Sequence, residues 1–159
     1  MPYTRDLAPL VVDDAEEIGA PAGGSWLQLA ITDDGERLLG DVAVWLDDDE
    51  LLAVVGYTLA TEHQGKGYAT EALAALLDWL FTVAKVHRVS ATIDPRNLPS
   101  ARVLERNGFR YVGTARAAAL VRGEWADDTR FELLADDWRE WKRRPRTPGR
   151  VELVEITRD

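Results

Sequence analysis

The chain has 159 residues, of which 46% are hydrophobic and 30% charged, with a formal net charge of −9. This length and hydrophobic share predict one globular domain with a sizeable core. Without cysteine the chain has no disulfide, thiolate metal ligand or cysteine nucleophile, and two histidines disfavour a histidine-rich metal site. The acidic charge argues against non-specific nucleic-acid binding, which requires clustered Lys and Arg. No apolar run reaches the ~18 residues of a membrane helix and no secretory signal is evident, so we expect a cytoplasmic protein without a bound metal or membrane partner.

The first third of the chain is predicted to contain a helix and three strands. Residues 5–18 are compatible with a short helix, which the glycine- and proline-containing residues 19–24 would end. Apolar runs at residues 26–32 and 38–46 predict two strands joined as a hairpin by a polar turn around Gly35. An acidic turn then leads into an apolar run at residues 51–59, which predicts the third strand.

A loop with two glycines, Gly65 and Gly67, separates this third strand from an amphipathic helix. Apolar residues recur in the helix at spacings of three and four from Ala69 to Phe81. The first turn of a helix attracts anions, because its backbone N–H groups lack partners and the helix dipole is positive there. Glycines let a phosphate approach this backbone, and Lys66 adds positive charge. A plain turn would explain a lone pair of glycines better, but the whole segment QGKGYA at residues 64–69 favours an anion site.

The rest of the chain is predicted to complete a mixed α/β sheet with helices on its faces. Residues 87–93 predict a strand, and residues 100–107 predict a shorter helix that Gly108 closes. Residues 109–121 and 129–134 predict two further antiparallel strands, connected through a hairpin at Gly123. After the basic, proline-containing residues 142–149, apolar and charged residues alternate in residues 150–159 as in an edge strand.

Three segments of the chain follow the motifs of a known family. Residues 64–69 follow the pattern Q/R-x-x-G-x-G/A at a strand-to-helix junction. Residues 94–109 follow D-P-x-N-x-x-S-x-x-V-L-E-x-x-G-F, and residues 123–128 follow a G-x-W-x-D hairpin. In this order the motifs resemble the GNAT N-acyltransferases, in the ribosomal-protein N-terminal acetyltransferase (RimJ/RimL-like) branch. The resemblance implies the GNAT fold, with a central, mostly antiparallel sheet flanked by helices, for a single domain at residues 1–141.

The resemblance also implies acetyl-CoA as the cosubstrate. In the family the strand before the loop splays from its neighbour and its backbone pairs with the pantetheine amides, while the loop amides hold the pyrophosphate. The cofactor-binding residues expected on this basis are Leu59, Ala60, Thr61, Gln64, Gly65, Lys66, Gly67, Tyr68, Ala69, Thr70, Asn97 and Ser100. For Asn97 and Ser100, a role in capping a turn or a helix is the structural alternative.

The residues that would move protons are less clearly marked. Many relatives carry a tyrosine acid seven residues after this asparagine and a glutamate before the Gly-Tyr of the central strand, but Leu104 and Val55 occupy these positions here. The expected catalytic residues are Ser100 as the substitute acid, Asn97 beside the departing thiolate, and Glu62 as a base. Asp41 and Glu132 are further base candidates, and His63 is better explained as a solvated loop histidine.

These features predict an N-acetyltransferase that transfers an acetyl group directly to a primary amine in a ternary complex. A protein N-terminus, a polyamine, an aminoglycoside and a small amine all fit as the acceptor. Trp125, which lies among acidic residues, would line the site of a cationic amine or brace a dimer. The alternative function is a catalytically degenerate module that binds acetyl-CoA for sensing or assembly.

The two ends of the chain depart from the family pattern. The usual first strand and most of the following helix pair are missing or curtailed before Trp26, whereas residues 150–159 resemble such a first strand. We therefore expect residues 142–159 to be a linker and a tail that supplies this strand, either as a permutation within the chain or by exchange in a homodimer. A disordered tail is the competing interpretation.

Overall fold

An eight-stranded mixed sheet organises the protein, with strand order β1-β8-β2-β3-β4-β5-β7-β6. The structure, a computed structural model, describes residues 3–6, 26–33, 37–49, 51–145 and 152–156. The strands are β1 (Tyr3–Asp6), β2 (Trp26–Asp33), β3 (Arg37–Leu46), β4 (Leu52–Leu59), β5 (Arg88–Ile93), β6 (Arg110–Val121), β7 (Glu124–Leu134) and β8 (Glu152–Ile156). The helices are α1 (Tyr68–Thr82), α2 (Leu98–Arg106) and α3 (Ala135–Lys142).

β2, β3 and β4 form an antiparallel meander with one strongly apolar face. Val42 of β3 lies opposite Leu29 of β2, and Val44 lies opposite Val55 of β4, so the alternate residues of three strands build one surface. The predicted hairpin of β2 and β3 is confirmed, although residues 34–36 of its turn lie outside the described residues. β4 and β5 pair in parallel, and the other described strand pairs are antiparallel, so the predicted mostly antiparallel sheet is confirmed.

The helices pack on this apolar surface around α1. Its residues Leu73, Leu76, Leu77 and Leu80 are fully buried, and burying one such side chain contributes about 1.5–3 kcal/mol. α3 docks against the end of α1, where the rings of Trp138 and Phe81 stack with their centroids 5.0 Å apart. The sequence did not predict α3. Acidic residues in its first turn and basic residues in its last turn fit the helix dipole and were the available signal.

Three predicted elements differ from the structure. α2 begins at Leu98 rather than at residue 100, because Asn97 caps it by accepting a hydrogen bond from Ser100 N at 3.2 Å. β7 begins at Glu124 rather than at residue 129, because its polar first half is held by ladder pairing with β6 and not by burial. Residues 5 and 6 of the predicted first helix belong to β1, and residues 7–25 lie outside the described residues.

β8 lies inside the sheet, between β1 and β2. It pairs antiparallel with β2 from Leu29↔Glu155 to Thr32↔Glu152, and its other edge pairs with β1. The short strand near the N-terminus therefore reaches the rest of the sheet through β8. The division of the chain at residue 141 stays a prediction.

Candidate functional site

β4 and β5 part along their length, and the gap between them is the centre of the candidate site. Ladder pairs join them from Leu52↔Arg88 to Val54↔Ser90, and no further pair follows in the described residues of the two strands. Ala60 N donates to Leu39 O at 3.0 Å, so the backbone of Ala60 faces β3. Because backbone direction alternates along a strand, the N–H and C=O groups of Tyr57 and Leu59 point into the gap.

A tight loop at the end of β4 brings the N-terminus of α1 to this gap. Thr61–His63 form a single 3-10 turn, and Gly65 and Gly67 follow with φ angles of 76° and 85°. A positive φ suits glycine and strains other residues. Gly67 is the N-cap of α1 and has no side chain to cap that end, so the amides of Ala69 and Thr70 in the first turn lack an N-cap side chain. A Cβ added to Gly65 would meet nothing within 4 Å, so there is space at the loop.

Two buried polar atoms beside the loop have no hydrogen-bond partner within the described part of the chain, His63 Nδ1 and Thr70 Oγ1. The prediction that His63 is a solvated loop residue was wrong. His63 is only 9% exposed, because the 3-10 turn folds its ring edge-on to Tyr68 with a centroid distance of 6.4 Å. Buried polar groups are normally satisfied, so these two atoms mark a place where a polar ligand fits. Gln64 instead turns back to the strand, where its Nε2 donates to Leu59 O at 3.2 Å.

The N-terminus of α2 is tied to the splayed part of β4. Tyr57 Oη donates to Ser100 O at 2.9 Å, and burial raises the pKa of Tyr57 to about 12. Asn97 is exposed and its Oδ1 serves as the helix cap, so Asn97 and not Ser100 is the capping residue. Sequence reasoning missed Tyr57, because an aromatic residue in an apolar strand has the signature of a core residue.

The C-terminus of α2 is tied to the first turn of α1. Asn107 is completely buried, and its Nδ2 donates to Val103 O at 3.0 Å and to Thr70 O at 3.2 Å. This contact fixes α2 relative to the glycine loop. Asn107 has no functional signal in the sequence, because an asparagine before glycine at a helix end is typical of a local cap. Leu104 is fully buried, so this position offers no acid.

The candidate bases differ in their surroundings. Glu62 is exposed in the 3-10 turn. Asp41 lies opposite Thr58 of β4, one strand from the gap, and accepts a hydrogen bond from Gln28 Nε2. Glu132 is engaged by two guanidinium groups, Arg88 at 3.8 Å and Arg130 at 3.4 Å.

Two absences bear on the site. The described residues contain no group of three or more His, Asp or Glu side chains placed to hold a metal ion. None of the three described helices has the length and apolar character needed to cross a membrane.

Comparison with known proteins agrees with this geometry. A sequence profile of the Acetyltransferase (GNAT) domain matches residues 2–110. The probable N-acetyltransferase YjcK of Bacillus subtilis is 39% identical over 104 residues, which are 64% of this chain and 58% of that protein. The ribosomal protein uS5-alanine N-acetyltransferase of Escherichia coli is 34% identical over 96 residues, 60% of this chain and 45% of that protein.

A solved structure of a relative shares the fold of this chain. Mycobacterium smegmatis RimJ in complex with CoA-disulfide superposes with a TM-score of 0.67 at 35% identity, over 72% of this chain and 55% of that chain. The chain spans about half the length of the curated relatives that it matches, from 45% to 62% for the first four. The predicted family is confirmed: the chain belongs to the GNAT acetyltransferase domain family, and its relatives include RimJ.

Proposed function

We propose that this protein is an acetyl-CoA-dependent N-acetyltransferase that transfers the acetyl group directly to a primary amine within a ternary complex. The observation that supports this most is the gap between β4 and β5, which ends at the uncapped, glycine-lined N-terminus of α1. The gap offers backbone groups to the amides of a pantetheine arm. The helix end offers N–H groups to a pyrophosphate.

The geometry refines which residues would hold acetyl-CoA. Ala60 has its N–H bonded to Leu39 and its C=O bonded to His63 N at 2.9 Å, and Leu59 O already accepts from Gln64 Nε2. Pairing with pantetheine therefore falls to the N–H and C=O of Tyr57 and the N–H of Leu59. The amides of residues 65–70 would contact the pyrophosphate, and the hydroxyl of Thr70 is a buried group in need of a partner. Amine acetylation needs positioned hydrogen-bond donors and a proton route, which side chains and backbone groups can supply.

The reaction forms a bond between the amine nitrogen and the thioester carbonyl carbon and breaks the bond from that carbon to sulfur. Backbone N–H groups in the gap would stabilise the oxyanion that develops on the carbonyl. The departing thiolate needs a proton, for which the hydroxyl of Ser100, with Asn97 beside it, is the proposed relay: it donates its proton to the sulfur while it takes another from solvent. Tyr57, with its raised pKa, stays protonated, and its Oη donates to Ser100 O rather than to the thiolate. Glu62 is the proposed base for the amine proton.

Two measurements on the same preparation test this proposal. Acetyl-CoA at about a hundred times its dissociation constant should stabilise the fold by about 2.7 kcal/mol against heat, and ATP should not. Thiol should then be released from acetyl-CoA when a suitable amine is added. A thermal shift without thiol release across spermidine, an aminoglycoside and short peptides would favour the degenerate binding module.

A matched pair of variants tests the loop itself. Gly67→Glu places a carboxylate where the pyrophosphate should bind, so the thermal shift with acetyl-CoA should disappear. Gly123→Glu introduces the same positive-φ strain, at 81°, in the turn between β6 and β7, where a Cβ would meet nothing within 4 Å. This control should keep the shift. Retained binding in Gly67→Glu would refute the assignment of the loop.

A further inference from the structure

The hairpin of β6 and β7 and the loop after β5 enclose a cavity of about 740 Å³. Its lining residues are Asp94, Pro95, Arg96, Val121, Arg122, Glu124, Trp125, Ala126 and Asp127. The loop that forms one wall continues directly into Asn97, the predicted contact of the departing thiolate. The cavity therefore lies one residue from Asn97 along the chain, at the end of β5, whose two edges face β4 and β7.

Two charged side chains in this cavity, Arg96 and Asp94, form an ion pair with each other. Arg96 Nη2 lies 2.7 Å from Asp94 Oδ2, and Arg96 Nε lies 3.0 Å from Asp94 Oδ1. These hydrogen bonds lower the pKa of Asp94 to about 2. The hydrogen bonds to Asp94, with smaller contributions from the charges of Glu124 and Asp127, raise the pKa of Arg96. The lining as a whole contains three carboxylates, those of Asp94, Glu124 and Asp127, and two guanidinium groups, those of Arg96 and Arg122, so its formal net charge is −1.

The aromatic ring of the cavity is unusually open to solvent. Trp125 is 69% exposed, and its cross-strand partner Leu120 is exposed as well. Packing within the domain therefore does not account for this tryptophan. An indole face next to carboxylates attracts ammonium and guanidinium groups.

Asp127 also has a structural role that shapes the cavity. Its Oδ1 accepts a hydrogen bond from Ala117 N at 2.8 Å, and Ala117 has a φ of 47° within an irregular part of β6. Such bulges bend a hairpin and redirect its side chains. An Asp127→Asn substitution keeps the acceptor oxygen and removes the charge, so it separates the structural role from the electrostatic one.

We propose that this cavity binds a second positive charge of the acceptor, so that the acceptor is a primary amine that carries another cationic group. The inference rests on the proposed function and names its substrate class. The ring of Trp125 and the carboxylates of Glu124 and Asp127 would hold the second cation while the reacting amine enters the gap between β4 and β5. A polyamine and a protein N-terminus followed by Lys or Arg share this chemistry. The formal net charge of −9 further favours cationic ligands.

Binding to the protein saturated with CoA tests this inference without turnover. Calorimetric titration would compare spermidine, the peptide Ala-Lys-Ala and the neutral peptide Ala-Gln-Ala. We expect the cationic probes to bind about tenfold more tightly than the neutral peptide. Trp125→Ala should weaken the cationic probes by about 2- to 30-fold, the range that corresponds to a cation–π contact. Asp127→Asn, which removes one partly exposed charge, should weaken them by about 1.5- to 5-fold. Both variants should leave the neutral peptide unchanged.

Control variants separate the cavity from general surface effects. Trp26→Ala removes another exposed tryptophan, 60% exposed on β2, and Asp48→Asn removes a charge in the turn between β3 and β4. Neither should change the binding of any probe. Glu124→Lys should reverse the preference, so that Ala-Glu-Ala binds more tightly than Ala-Lys-Ala.

Each outcome has a defined meaning. Tight binding of spermidine alone identifies a polyamine, and tight binding of the lysine peptide alone identifies a protein N-terminus. Equal affinity of the wild type for the lysine and glutamine peptides, or no effect of Trp125→Ala on cationic probes, would overturn the inference. Failure of the proposed function appears separately, as the absence of thiol release from acetyl-CoA.

Discussion

Gly40 of β3 packs directly against the end of β4, the segment proposed to pair with pantetheine. A Cβ built on Gly40 would lie 2.0 Å from Thr58 O and 2.9 Å from Leu59 Cα. Both contacts are with backbone, so rotation of a side chain cannot relieve them. A Gly40→Ala variant therefore has to open the two strands by about 1 Å before the closest contact reaches a distance found in real packing.

The structure sets the size of this effect. Overpacking of a tight interior costs about 1–3 kcal/mol, and loss of the neighbouring ladder hydrogen bond from Ala60 N to Leu39 O costs about 1 kcal/mol more. We expect Gly40→Ala to lower the free energy of unfolding by about 2–4 kcal/mol. Because Leu59 would move by about 1 Å, kcat/KM for acetyl-CoA should fall by up to about 10²-fold.

Urea unfolding and initial-rate kinetics measure the two effects. Gly113→Ala is the matched control, because Gly113 lies on the edge strand β6 and an added Cβ there would meet nothing within 4 Å. The control should change stability by less than about 1 kcal/mol. If Gly40→Ala retained the unfolding free energy within about 0.5 kcal/mol and unchanged kinetics, the proposed dependence on this close approach would be refuted.

Three further predictions follow from other contacts. Asn107→Ala should lower the free energy of unfolding in urea by about 2 kcal/mol, because the hydrogen bonds from Asn107 Nδ2 to Thr70 O and Val103 O are lost. The variant should also raise KM for acetyl-CoA more than it lowers kcat. A loss of stability with unchanged kinetics would contradict a positioning role for Asn107. Tyr57 titrates near 12 when folded and 10.0 in its unperturbed state, so its contribution to stability is complete below pH 10 and is lost as the pH rises toward 12. Comparison of the wild type with Tyr57→Phe by unfolding at pH 9 to 12 should show about 2–3 kcal/mol of this loss, and parallel curves would argue against the shift. Truncation of residues 145–159 removes β8, which pairs with β2. The truncated protein should have an unfolding free energy lower by about 2–4 kcal/mol or a different oligomeric state. Unchanged stability and an unchanged mass in light scattering would show that the tail has no structural role.

Local sequence patterns were sufficient to predict the helices and strands whose apolar residues are regularly spaced or form continuous runs. The spacing of Leu73, Leu76, Leu77 and Leu80 predicts α1, and the apolar runs between polar turns predict the strands of the meander. Patterns were insufficient where tertiary contacts decide. The polar first half of β7 has no apolar alternation, and its strand conformation depends on pairing with β6. α3 is short, and its burial depends on the stacking of Trp138 on Phe81.

The same division applies to the candidate site. Gly65 and Gly67 were identified from sequence because a local backbone conformation requires them. The hydrogen bonds from Tyr57 to Ser100 and from Asn107 to Thr70 were not identified, because they join residues that are 43 and 37 positions apart in the chain. His63 was predicted to be solvated, and only the fold of the loop shows that its ring is buried. Residue type alone does not specify such contacts.

The most direct test of acetyl transfer is to measure acetylated product and free thiol in one reaction of the protein with acetyl-CoA and a cationic amine. Product and thiol should form in equal amounts, both should depend on the amine, and both should be lost in Gly67→Glu. Acetyl transfer would be contradicted if acetyl-CoA stabilised the fold but thiol appeared at the rate of the protein-free blank with every amine.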